Sequence, residues 1–337
     1  MITRNEQFKE KFPKEPKFRI KQIQEALFQF PTGSWENATT LSKSVREELI
    51  KSVPWMSLTC KQVQEDGDTK KALLETQDGQ EIESVLMKNT RDQWTICLSS
   101  QIGCAMNCAF CATGKMGLKR NLSEDEIVDQ VRYWQSQISD EERISNLVIM
   151  GMGEPMANYD AVKSALNTIL ENTDIGPTRI TVSTVGFLPR LELLLDDPEW
   201  PEVRIAVSLH SVDSIERKRL MPSSTPTFIN DLRDWSLRYL EKFGNNRHHL
   251  TFEYLLIKGI NDSVADAKKL SKFIHSIGHA KVNVIPYNDT GMFEAPTRRT
   301  VEAFCEVLQE SKVDVMRRRS LGSGISAACG QLANKKN

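Results

Sequence analysis

Cys104-Ala105-Met106-Asn107-Cys108-Ala109-Phe110-Cys111 is a C-x3-C-x2-C run, and it follows an apolar stretch at 95–99 that reads as a strand. Three thiolates on one tight loop can each hold one iron of a cubane cluster, leaving the fourth iron without a protein ligand. The alternative is a structural zinc site. Zinc wants four closed ligands, commonly from two C-x2-4-C pairs, and no second pair or nearby histidine supplies the fourth. Cys97 could be proposed for that role, but it lies inside the expected strand. The reading taken is a [4Fe–4S] cluster on Cys104, Cys108 and Cys111.

Downstream of this loop the chain alternates between two hydrophobic periods. Strands are expected at 95–99, 146–151, 179–184, 203–209, 250–257 and 281–286, with a possible seventh at 313–318. Ser123-Glu124-Asp125-Glu126 has the capping-box pattern, and Ile127, Val131 and Trp134 follow at helical spacing. Another helix begins near Ser263 and carries Ala267, Leu270, Ile274 and Ile277 on one face. Repeated β-α units predict a parallel sheet covered by helices, and six or seven of them predict an α/β fold of the partial (β/α)6 barrel type. Upstream, helices are expected at 17–29 and from Ser42, the first ending before Pro31-Thr32-Gly33 and the second carrying Val45, Leu49 and Ile50 on one face. Residues 72–75 and 81–86, separated by Asp78-Gly79, read as a β-hairpin, and alternation along its second strand turns Glu83 toward solvent. The expected organisation is a small N-terminal helical and hairpin accessory unit (1–90), then the barrel (91–332) and a short tail (333–337).

Function in parallel β/α barrels collects at the C-terminal ends of the strands. Here the second strand runs into Gly151-Met152-Gly153-Glu154-Pro155, where glycines admit a ligand to the backbone and Glu154 could bind an ammonium. The third strand ends in Ser183-Thr184, the fourth in Ser208-Leu209-His210 and the sixth in Tyr287-Asn288. Taken singly, such residues are more often turn or core residues. Together they bring hydrogen-bonding groups to the same rim as the cysteine loop. Gly-x-Gly without a third glycine does not make a dinucleotide fingerprint.

The 337 residues are 39% hydrophobic and 26% charged, with a formal net charge of −1, so overall charge does not indicate a nucleic-acid partner. Local basic clusters do occur: Lys115, Lys119 and Arg120 after the cysteine run, and Arg317, Arg318 and Arg319 near the C-terminus. No segment reaches the length of a membrane span, and Met1-Ile2-Thr3-Arg4-Asn5-Glu6 lacks a signal-peptide core. Seven cysteines, an odd and uneven set, argue against a disulfide framework and for a reducing compartment. A cytoplasmic, membrane-free protein is expected. Cys305 beside Val301, Phe304 and Leu308 reads as a small core residue, and Cys60 has no motif around it. Cys329, in Ser326-Ala327-Ala328-Cys329-Gly330-Gln331-Leu332 and preceded by Gly322 and Gly324, reads as a mobile loop cysteine.

An open iron is chemically useful because the amino and carboxylate groups of S-adenosylmethionine (SAM) can chelate it, as in the radical-SAM superfamily, which this sequence resembles. The resemblance becomes narrower with Ala112-Thr113-Gly114, Asn121-Leu122, Gly151 to Pro155 and Ala327 to Leu332 taken in order. That set is similar to the RlmN/Cfr family of RNA methyltransferases over about residues 17–332. Cys104 to Cys108 and Gly153-Glu154-Pro155 are closer to the RlmN type, Gly117-Leu118-Lys119 to the Cfr type, and Gly322 to Ser326 departs from both.

The resemblance implies methylation at C2 of an adenosine in 23S rRNA, with tRNA as a further substrate. The alternative is C8 of the same rRNA adenosine, the Cfr type associated with ribosomal antibiotic resistance. It implies two SAM molecules per turnover. Cys329 takes a methyl group from one, and a radical generated from the other abstracts hydrogen from that S-methyl group. The carbon radical adds to adenine, Glu83 accepts a proton, and Cys97 then attacks Cys329 sulfur to form a transient disulfide that releases the RNA. It further implies that Gly153, Glu154, Ser183, Ser208, Leu209, His210 and Asn288 bind SAM, and that flavodoxin or ferredoxin supplies electrons to a monomeric enzyme. The adenine would have to be unstacked to reach a barrel interior.

Overall fold

The computed structural model describes residues 3–333 apart from 14, 17, 30–32, 90, 245–249, 319 and 320. Lys17, Pro31-Thr32, Arg319 and most of the expected tail therefore lie outside the described residues.

The chain begins with helices α1 (Arg4–Lys11), α2 (Phe18–Gln29) and α3 (Lys43–Ser52). Ser42 caps α3 by accepting from the Val45 N–H. Val45 and Leu49 are buried as their spacing predicts, whereas Ile50 is exposed, because it stands one residue past the stripe that faces the core. These helices enclose their own core around Phe8, Ile23, Leu27, Trp35 and Leu49.

Three antiparallel strands follow: β1 (Leu58–Asp66), β2 (Thr69–Thr76) and β3 (Glu81–Lys88). β3 pairs antiparallel with β4 (Trp94–Cys97), with Val85 opposite Cys97. The sheet thus runs without interruption across residue 90, where the sequence reading divides the chain. A small hairpin, β5 (Gln101–Gly103) and β6 (Leu118–Asn121), brackets the cysteine loop and the one-turn helix α4 (Ala112–Lys115).

Then come α5 (Glu124–Gln135), β7 (Ile144–Ile149), α6 (Tyr159–Asn172), β8 (Ile180–Thr184), α7 (Leu188–Asp196), β9 (Arg204–Ser208), α8 (Ser214–Leu220) and α9 (Phe228–Phe243). The chain closes with β10 (Leu250–Leu256), α10 (Val264–Ile277), β11 (Ala280–Pro286), α11 (Arg298–Glu310) and β12 (Asp314–Arg317). Every strand expected for the barrel is present, the possible seventh as β12. The sheet order is β1-β2-β3-β4-β7-β8-β9-β10-β11-β12, parallel from β4 onward, and among the described residues neither edge strand pairs further.

Capping chemistry starts the outer helices where the sequence places it. Ser123 with Glu126 and Ser263 with Asp266 each form a capping box. Ile127, Val131 and Trp134 are fully buried, and Trp134 Nε1 donates to Ser84 Oγ on β3 at 3.0 Å. On the hidden face of α5, Asp129 joins Arg4 and Arg132, and the Arg132 guanidinium also donates to the Leu27 and Trp55 carbonyls. This buried network ties the N-terminal helices to the barrel. It fixes their orientation more than it stabilises, since desolvation offsets most of the Coulombic gain. Cys305 is half-buried on α11 beside Val301, Phe304 and Leu308, and Cys60 accepts from Tyr133 Oη at 3.1 Å. Among the described residues no helix is long and apolar enough to cross a membrane.

Candidate active site

The cysteine loop is shaped by backbone that only particular residues accept. Gly103 has φ +73°, and a Cβ there would lie 1.8 Å from the Gly117 carbonyl oxygen that receives the Cys104 N–H. Asn107 also takes a positive φ of 49°, a conformation its short polar side chain tolerates. Ala109 N–H donates to the Leu220 carbonyl and Cys111 N–H to that of Cys108, which fixes the loop against α8.

Cys104 and Cys108 are buried and Cys111 is half-buried. Burial pushes the Cys104 thiol up to about 11 and Cys108 higher still, and the neighbouring thiols add to both shifts. Only Arg217 opposes this at Cys108. A bound metal takes such thiols as thiolates and releases their protons. Among the described residues no three His, Cys, Asp or Glu side chains converge closely enough for a single ion. Three cysteines on one loop with no fourth protein ligand beside them suit the cluster expected from the sequence better than a closed zinc site.

The loop forms one wall of a cavity of about 230 Å³ at the C-terminal ends of the barrel strands. Cys97, Cys104, Cys108, Cys111, Gly153, Glu154, Ser183, Ser208, His210, Asn288 and Cys329 all line it. Gly153 has φ +103°, and a Cβ on it would lie 2.5 Å from Gln101 Cβ, so the turn needs glycine. Glu154 accepts from the Met156 and Val185 N–H groups at 2.9 and 2.8 Å. Burial raises its proton affinity against those bonds and one from Thr184.

His210, also at positive φ (56°), accepts the Leu255 N–H through Nδ1 at 3.0 Å. That bond assigns the ring proton to Nε2. Burial and Arg217 push the imidazole down to about 3, so the ring is a neutral donor at physiological pH. Its edge packs against Phe110 of the cysteine loop at 4.8 Å.

Two expected residues stand apart from the cavity lining. Leu209 is fully buried behind it. Glu83 is also buried, not the solvent-facing residue that strand alternation suggests. It forms an ion pair with Lys71 at 2.8 Å, and its Oε2 accepts the Ala333 N–H at 2.8 Å.

The C-terminal segment, read from its glycines as mobile, is docked throughout its described length. Asn288 Nδ2 donates to the Cys329 carbonyl at 3.0 Å, Ala112 N–H to that of Gly330 at 2.8 Å and Thr113 Oγ1 to that of Leu332 at 2.6 Å. Asp66 on β1 accepts from the Gly324 N–H at 3.2 Å, so the atypical Gly322–Ser326 stretch rests on the hairpin. Cys329 is exposed by area because it faces the cavity. Protein nonetheless crowds it enough that desolvation raises its thiol pKa, against the pull of Arg318. The Cys97 thiol is pushed up to about 12, by burial first and then by Cys329, with Arg318 again opposing. The two thiols are therefore electrostatic neighbours.

Arg318 and Glu253 also line the cavity, and the strand-end reading overlooked both. A signal was available for Glu253, which is the one acidic residue in the run Leu250-Thr251-Phe252-Glu253-Tyr254-Leu255-Leu256.

Comparison with known proteins agrees with this geometry. The profile of the Radical SAM superfamily matches residues 98–270. The chain is 41% identical over 322 residues to the dual-specificity RNA methyltransferase RlmN of Desulfosudis oleivorans, covering 94% of this chain and 85% of that one. It is 38% identical to the probable RlmN of Aquifex aeolicus, covering 98% and 96%. A solved radical SAM methyltransferase from Sphaerobacter thermophilus superposes with a TM-score of 0.88 at 36% identity, covering 98% of this chain and 97% of that chain.

Proposed function

This chain belongs to the radical SAM superfamily and, within it, to the RlmN family, and from that premise we propose that it methylates C2 of an adenosine in 23S rRNA and in tRNA. Membership implies a [4Fe–4S] cluster and SAM. Cys104, Cys108 and Cys111 would hold the cluster, which when bound supplies the electron that cleaves SAM to a carbon radical. The observation that carries the proposal is Cys329 on the same cavity as Cys97 and the three loop cysteines.

Adenine C2 is electron-poor and does not attack a methyl sulfonium, so the methyl group needs a carrier that can be activated as a radical. Cys329 is that carrier. It faces the cavity, and its backbone is fixed by Asn288 and by the Gly330–Ala112 bond. Cys97, at the end of β4, is the thiol that takes Cys329 into a disulfide and frees the RNA. Both thiols are held protonated by burial, so each must lose its proton before acting, and Arg318 is the group that favours the thiolate at both. For Glu83 to accept a proton from the base, the C-terminal segment must shift so that its carboxylate is released from Ala333.

Gly153, Glu154, Ser183, Ser208, His210 and Asn288 form the SAM-binding rim. Gly153→Ala is expected to weaken SAM binding by about tenfold or more, because the new Cβ collides with Gln101 and the positive φ is lost. Calorimetric titration of the holoenzyme with SAM measures this, and unchanged affinity would remove Gly153 from the site.

The function itself is tested by nucleoside mass spectrometry of large-subunit rRNA and tRNA treated with anaerobically reconstituted enzyme, SAM and a flavodoxin- or ferredoxin-type reductant. The expected product is 2-methyladenosine. Appearance of 8-methyladenosine instead would move the chemistry to the other ring carbon, and neither product with continued SAM cleavage would contradict an RNA substrate.

A further inference from the structure

Among the described residues Glu253 is the one carboxylate lining the cavity with an acceptor to spare. It stands in a strand with no other charged residue and is 4% exposed. Asn283, paired with it in register on β11, donates Nδ2–H to Oε1 at 2.8 Å. Among the described residues Oε2 receives no hydrogen bond. The other carboxylate lining the cavity, Glu154, has both oxygens occupied by backbone donors.

Burying a carboxylate costs heavily unless donors or a cation meet it. Among the described residues Arg318 is the only lysine or arginine lining the cavity, and it acts on Glu253 as well as on both thiols. The charge of Glu253 in turn reaches Cys329. An acceptor is therefore fixed in the same cavity as the thiol proposed to carry the methyl group, open to a donor from a ligand.

Anionic groups do not fit an acceptor-only oxygen, and a 6-oxopurine would set one acceptor against another. A 6-aminopurine presents an N–H there. We propose that Glu253 is a base-specificity residue, its Oε2 accepting the 6-amino N–H of the target adenine while Asn283 holds the carboxylate in place. This rests on the reading that Cys329 delivers a methyl group to an RNA adenine. SAM carries the same amino group, and Ser208 pairs with Glu253 in register, so the test has an arm for each source.

Holoenzyme is assayed on one rRNA fragment bearing adenosine at the target position and on the same fragment bearing inosine, which keeps the hydrogens at C2 and C8. SAM binding and RNA-independent 5′-deoxyadenosine formation are measured in parallel. Wild type is expected to favour adenosine. Glu253→Gln, whose amide can donate to a 6-oxo group, is expected to lower the adenosine-to-inosine ratio of kcat/KM by about tenfold or more, with SAM binding and cleavage unchanged. Glu253→Asp, which keeps an acceptor, should retain the preference at a reduced rate.

A ratio that stays at the wild-type value in Glu253→Gln overturns the proposal. So does a change confined to SAM binding, which would give the contact to the cofactor's adenine. Cluster absorbance and circular dichroism identify a variant that has failed to fold, in which case Glu253→Asp decides. Wild-type enzyme that methylates neither RNA contradicts the proposed function itself, and the base-specificity role falls with it.

Discussion

Holoenzyme carrying Cys329→Ala is expected to form no methyladenosine, a loss of about a thousandfold or more, while still cleaving SAM. Alanine removes the only sulfur on the described C-terminal segment that faces the cavity, and no other side chain there can take over a methyl group. The substitution should leave the fold alone. Cys329 is exposed, and the bonds that dock its loop use backbone carbonyls of Cys329, Gly330 and Leu332, which alanine keeps. Loss of a covalent carrier of this kind removes nearly the whole rate enhancement, not a fraction of it. The measurement is methyladenosine against 5′-deoxyadenosine in one reaction. Methyladenosine at even a tenth of the wild-type rate would take the carrier role away from Cys329.

Cys97→Ala is expected to have a different and equally large effect, stalling the enzyme as a covalent adduct with its RNA. Once the carbon on Cys329 has bonded to the base, release requires a second thiol to take over the sulfur. Cys97 is the cavity thiol outside the cluster loop whose charge couples to Cys329, and it projects from the end of a central strand. Alanine there fits the space of a side chain that is 7% exposed, so binding and the first steps should proceed. Denaturing gels of enzyme with labelled RNA should show a stable shifted band in the variant and none in wild type. Repeated turnover by the variant at the wild-type rate would remove Cys97 from the mechanism.

Much of the barrel and its rim could be read from the sequence because both rest on local rules. The cysteine loop declares itself by spacing alone. The capping-box pattern at Ser123 and the apolar stripe after Ser263 mark helix starts within one turn. Alternation of strand and helix periods then carries Glu154, Ser183, Ser208, His210 and Asn288 to one rim.

What escaped the sequence depends on distant partners. β1, with its mostly exposed side chains, shows no two-residue alternation, since it is an edge strand that packs little apolar surface. β5 and β6 are three and four residues long, too short for any period to appear. Glu83 looked solvent-facing until Lys71 from the neighbouring strand and Ala333 from the chain end closed over it. The glycines around Cys329 suggested mobility, and the bonds that hold that segment come from Asp66, Ala112, Thr113 and Asn288, far away in sequence.

The most direct test of the account is a label chase through Cys329. Holoenzyme would be incubated with SAM carrying an isotopically labelled methyl group, separated from free SAM, and then given RNA, unlabelled SAM and reductant. Mass spectrometry would follow the peptide containing Cys329 together with the RNA nucleosides. The expected result is a labelled methyl group on Cys329 that disappears as labelled 2-methyladenosine forms. Methyladenosine that carries only the unlabelled methyl group, while the label stays on Cys329 or never reaches it, would contradict the account.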